Sequence, residues 1–78
     1  SEMNRRREVI RKLLHQNGAM QPRILLQLAQ EELGESFEAH HLRAVLRKYT
    51  AIFAPSPDQH GLWMTISPVS LAAVQSSD

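Results

Sequence analysis

With 78 residues, no cysteine and a formal net charge of +1, the chain has room for one small domain and offers neither a disulfide framework nor a thiolate metal site. Its longest apolar runs are a few residues, too short for a membrane span or a signal-peptide core, so cytoplasm or nucleus is the expected setting. So small a net charge does not by itself imply a polyelectrolyte partner. Any argument for nucleic acid must rest on where the charges lie.

The opening stretch, SEMNRRREVIRK, sets Arg5, Arg6, Arg7, Arg11 and Lys12 against Glu2 and Glu8, a locally basic end. Val9, Ile10, Leu13 and Leu14 recur at helical spacing, which predicts a first helix from an N-cap at Asn4 to Gln16, closed by Gly18. Met20 falls in a short extended segment. Gln21 and Pro22 then open a second helix, because the missing N–H of proline is no loss in a first turn. That helix carries Leu25, Leu26, Ala29 and Leu33 inward and stops at Gly34. Glu31, Glu32, Glu35 and Glu38 gather around the following turn and make it the acidic end of the chain.

The third helix, SFEAHHLRAVLRKY, is predicted from Ser36, capped by its hydroxyl, to Tyr49. Leu42, Val45, Leu46 and Tyr49 share one stripe. His40, Arg43 and Arg47 point away from it, with Lys48 and His41 at the flank, so the free face is cationic. The period then changes. TAIFAP and GLWMTI are short runs rich in β-branched and aromatic residues, separated by PSPDQH, whose prolines and Asp58 favour turns. They read as two antiparallel strands that close the core with Ile52, Phe53, Trp63 and Ile66. Residues 68 to 78 form a C-terminal tail with the capacity for a short helix around Leu71 and Val74.

Three helices and a hairpin within residues 4 to 67 give a mostly α fold with a small β-hairpin, the element order of a winged helix-turn-helix. A three-helix bundle with a disordered tail is the structural alternative.

Catalysis has little support. No nucleophile elbow or phosphate loop is present, and three glycines cannot build much of a binding loop. The expectation is a non-enzymatic protein without a cofactor. No metal site is expected either. His40 and His41 are adjacent on the helix, so their rings should diverge by about 100°, whereas helix-borne zinc pairs are spaced to face one ion.

The basic face of the third helix is the strongest functional hint. In helix-turn-helix proteins this helix meets the nucleic acid. Arg43 and Arg47, one turn apart, have the reach to fork onto phosphates or base edges, and His40 and Lys48 add single contacts. Arg5 and Arg6 extend the basic surface. A solvated helix face is the bland alternative. Glu35 and Glu38 near the helix start, and a loop between the strands without Lys or Arg, argue against sequence-specific duplex recognition. RNA or single strands tolerate such sparse charge better. Trp63 is open between a base-stacking platform and a core residue. The rival class is protein docking, because Ile24 lies toward the outer side of the second helix and the apolar surplus of the tail, Leu71 and Val74 included, exceeds what one small core hides.

LLHQNGA, ILLQLAQEELG and a third helix leading into a hairpin together resemble the winged-helix LOTUS domain, also called OST-HTH, over residues 5 to 67. YTAIF stands where that family has a proline-aspartate step. GLWMTI is more weakly similar to the Z-form nucleic-acid-binding domains. LLHQNGAM is similar to the winged domain that opens antiviral CCCH zinc-finger proteins. The LOTUS resemblance implies a module of a larger RNA-regulatory or germline-granule protein that binds RNA directly or docks onto a DEAD-box helicase, with the tail forming an extra helix. The expected function is nucleic-acid binding through the third helix, with docking onto a protein of an RNA-regulatory complex as the alternative. No small-molecule substrate is expected.

Overall fold

The computed structural model describes residues 1–66, so the predicted tail, with Leu71 and Val74, lies outside the described residues. The element order is α1 (Glu2–Asn17), α2 (Pro22–Leu33), α3 (Ala39–Lys48), β1 (Phe53–Pro55) and β2 (Trp63–Thr65). It is a mostly helical fold with a small hairpin, laid out as a winged helix.

α1 begins earlier than its apolar stripe requires. The Ser1 hydroxyl accepts from the Asn4 N–H at 3.2 Å, and Glu2 occupies the first turn and pairs with Arg5 at 3.7 Å. The N-cap is therefore Ser1 and not Asn4, whose side chain instead accepts from Arg7 at 3.3 Å. Both a hydroxyl acceptor and a first-turn acid suit the positive end of a helix. Gly18 and Gly34 end α1 and α2 at φ 78° and 97°, a region closed to most side chains. Pro22 opens α2 from an extended Gln21, as predicted.

The third helix starts later than Ser36. On a helix running continuously from there, Phe37 would point about 130° away from the stripe of Leu42, Val45 and Leu46. The chain stays irregular until Glu38, and Phe37 drops into the core at 1 % exposure. Gln30 donates to its carbonyl at 2.9 Å, which ties the turn to α2.

The start of α3 is held by His41, whose Nδ1 accepts from the Glu38 N–H at 2.9 Å. A ring nitrogen here takes the place that a Glu or Gln oxygen fills in a capping box. An accepting Nδ1 carries no proton, so neutral His41 is the Nε2–H tautomer.

The core joins Ile10, Leu13 and Leu14 of α1, Leu25 and Ala29 of α2, and Leu42, Val45 and Leu46 of α3 to Met20, Phe37, Ile52 and Phe53. Every apolar position expected in the helices is buried or packs against this cluster. In the hairpin, Phe53 pairs with Thr65, Ala54 with Met64 and Pro55 with Trp63. Both strands are shorter than predicted: residues 50–52 turn the chain before β1, and β2 loses a residue or two at each end, Gly61 belonging to the turn. The N–H groups of Ile52 and Phe53 both donate to the Tyr49 carbonyl at 2.9 Å. Ile66 is 49 % exposed and not a core residue. It follows the last paired residue, and its N–H donates to the Ile52 carbonyl at 2.7 Å, which tethers its backbone and leaves its side chain outside.

Met20 forms a bridge to Trp63 with both backbone hydrogen bonds, at 2.9 and 2.8 Å. β2 thus lies between β1 and the α1–α2 connection.

Two predictions follow from the turn and the cap. Phe37→Ala should cost about 3 to 5 kcal/mol, a large share of what a small domain holds. Denaturant melting measures it, and an unchanged midpoint would place Phe37 outside the core. His41 has a pKa lowered below 6.5, first by desolvation and then by the charges of His40 and Arg6, against the opposing pull of Glu38. The unfolded chain then binds the extra proton more readily, so this contribution to stability is present above about pH 6.5 and is lost as pH falls below it. The melting temperature should drop on acidification from about pH 7.5 to about pH 5.5. His41→Gln keeps an acceptor at the same helix position and should flatten that dependence without lowering stability at neutral pH.

Candidate nucleic-acid interface

His40, Arg43, Arg47 and Lys48 are all exposed on α3, as its spacing predicts. Arg43 and Arg47 are one turn apart, which sets their Cβ atoms about 6 Å from each other. Beside them runs a groove of about 460 Å³, bounded by α2, α3 and β2. The half-buried Leu26 and Trp63, with the edges of the buried Leu42 and Leu46 beneath them, make its apolar floor, and the exposed Pro22 and Ala39 complete the lining. Arg23, from the first turn of α2, faces the same groove as Arg43 and Arg47. No acid contributes to the lining.

The three groove arginines differ from most of the cations of α1 in their company. Among the described residues, none of Arg23, Arg43 and Arg47 pairs with a carboxylate. Most of the cations of α1 do. Arg5 pairs with Glu2 and donates to the Glu32 carbonyl at 3.2 Å. Arg7 and Arg11 share Glu8 at 3.3 and 3.0 Å, and Lys12 pairs with Glu32. Arg6 lies over the Phe37 ring at 5.6 Å, while Arg7 and Lys48 lie over Tyr49 at 5.2 and 5.6 Å. Glu2 and Glu8 of α1 and Glu32 at the end of α2 thus neutralise much of the basic N-terminal segment. Among the described residues, the arginines and lysines left without a carboxylate are Arg6, which lies over Phe37, Arg23 at the start of α2, and Arg43, Arg47 and Lys48 on α3. Neither Arg5 nor Arg6 lines the groove.

Sequence reasoning missed Arg23. It sits next to the helix-opening proline, but its approach to α3 depends on how two helices pack, which no spacing along the chain reveals. The loop 56–62 matches its sequence: the Ser56 hydroxyl accepts from the N–H groups of Asp58 and Gln59 at 3.3 and 3.2 Å, and no Lys or Arg is present there. Ile24 is 36 % exposed, on the outer side of α2.

The expected divergence of His40 and His41 does not occur. Their ring centroids are 3.9 Å apart, and His41 stacks on Phe37 at 5.9 Å. Rotation about the side-chain bonds closes the angle between neighbouring Cβ atoms, and the buried Phe37 ring gives the imidazoles a surface to collect on. Glu38 lies 3.7 Å from His40 Nδ1, and the potential ligand atoms of Glu38, His40 and His41 all fall within 4.8 Å of one another. This is compact enough to weigh as a metal site. His41 Nδ1, however, is engaged by the Glu38 N–H, and its Nε2 carries the proton, so a metal must either break the helix cap or displace that proton. Zinc added at equimolar concentration should leave the His40 and His41 ring resonances in place. A saturable shift of both would show that the cap yields to the metal.

Compared with known proteins, the chain matches no family model, no curated protein and no solved structure.

Proposed function

We propose that this chain is a non-enzymatic winged-helix module of a larger regulatory protein, working in the cytoplasm or nucleus. It binds nucleic acid, RNA or single strands in preference to duplex DNA, through the exposed basic face of α3. The observation that carries this reading is the convergence of Arg23, Arg43 and Arg47 on one surface without a carboxylate. Guanidinium forks suit phosphate oxygens, and His40 and Lys48 on the same helix add single contacts. Preference against the duplex follows from the loop 56–62. A winged protein on a duplex gains a second backbone contact from that loop, and here it offers Asp58 and no Lys or Arg. The resemblance to LOTUS domains, which implies an RNA-regulatory setting, points the same way.

A protein-docking reading is favoured by a separate observation. Ile24 and Ile66 are large apolar side chains left at 36 % and 49 % exposure, and such surface suits a partner in an RNA-regulatory complex.

Titration against short RNA, single-stranded DNA and duplex DNA at two salt concentrations tests the proposal. Three phosphate contacts on a single strand should give a log–log salt slope of roughly −2. Arg43→Glu combined with Arg47→Glu should weaken binding at least about tenfold and change stability by about 0.5 kcal/mol or less, since both positions are exposed. Full affinity in that variant would leave the basic face as solvated surface.

A further inference from the structure

We infer that the groove between α2, α3 and β2 receives an unstacked base of a single-stranded nucleic acid, its face on the apolar floor and its flanking phosphates held by Arg23 on one lip and Arg43 and Arg47 on the other. This rests on the reading that the α3 surface binds nucleic acid, and adds which part of the ligand enters where.

The floor decides between ligands. A duplex shows a protein its phosphates, sugars and base edges, and a floor made chiefly of Leu26 and Trp63 offers these little beyond contact with a thymine methyl. The faces of bases become available only when strands are unpaired, and apolar or aromatic side chains are what they pack against. Trp63 is well placed to serve as a fixed wall. Its backbone is held on one side by Met20, at 2.9 and 2.8 Å, and on the other by its register with Pro55.

The lips have a matching chemistry. Besides the three arginines, the first turn of α2 lies at the groove through Pro22 and Arg23. That helix has no side-chain cap and no acid in its first turn, so its positive end and free N–H groups remain available to an anion. α3 differs, because Glu38 and His41 already occupy its start. The size is also selective. About 460 Å³ suits a small planar group, whereas an amphipathic helix needs a longer trough for anchors spread over two turns.

Trp63 is the single tryptophan, so its fluorescence reports on the groove. Short oligouridine and oligothymidine should quench it and bind roughly tenfold more tightly than a strand of equal length made of abasic sugars. Quenching by either strand supports the inference, and the difference between them identifies the preferred sugar. Ala39→Leu narrows the groove from an exposed position in the first turn of α3. It should bring base-bearing strands down to the affinity of the abasic strand, whose own binding should stay unchanged. Equal affinity for base-bearing and abasic strands, with Trp63 unquenched, would overturn the groove assignment and leave binding by α3 intact. Failure of every strand to bind would overturn both. An acidic peptide containing Leu and Phe that quenches Trp63 where no oligonucleotide does would reassign the groove to a protein segment and overturn the inference.

Discussion

The burial of Phe37 is the constraint on which the arrangement of the basic surface depends. A helix begun at Ser36 would be regular but would leave a large aromatic ring outside. Leaving the chain irregular for three residues forgoes a few helical hydrogen bonds, some of which the turn replaces. The Phe37 N–H donates to the Gly34 carbonyl at 3.1 Å, and its own carbonyl accepts from Gln30. Burying the ring is the larger effect, since a fully buried Phe contributes about 1.5 to 3 kcal/mol. Once Phe37 is inside, α3 starts at Ala39, and its first small residue stands where the groove opens.

Two kinds of positive charge result from the packing. In α1, Arg5, Arg7, Arg11 and Lys12 are shared among nearby carboxylates, which suits a helix that packs against the acidic end of α2. At the groove the arginines have no such partners among the described residues. A net charge of +1 conceals this separation, because several of the acids that cancel the total are paired with α1 and none lines the groove. Local potential, which steers a ligand, is set by the unmatched groups and not by the sum.

Much of the fold was legible in the sequence. The helical stripes were readable because burial imposes a 3.6-residue period, and Gly18, Pro22 and Gly34 mark ends by backbone geometry that few other residues tolerate. What could not be read depended on contacts between distant segments. The cap at Ser1 needed only one hydroxyl three residues before an amide, but Asn4 was an equally good local candidate. Phe37 was hidden because it lies off the stripe of the helix it precedes. The close approach of His40 to His41 follows from the stacking of His41 on Phe37, a platform that the fold supplies. For the candidate site, Arg43 and Arg47 were visible from spacing on one helix. Arg23 and the apolar floor were not, since they arise where α2, α3 and β2 meet. Ile66 was misplaced because alternation along a strand loses its meaning once pairing ends.

The pairing of Met20 with Trp63 has a kinetic side. It joins positions on either side of α2, α3 and β1, so it closes a long loop, and the chain entropy of that closure must be met before the contact returns anything. Helical turns form from near neighbours, whereas this bridge needs the intervening segments already in place. The wall that Trp63 gives to the groove therefore rests on one of the costliest closures in the chain. A change that opened this bridge would leave α3 with its arginines and remove the cleft beside them.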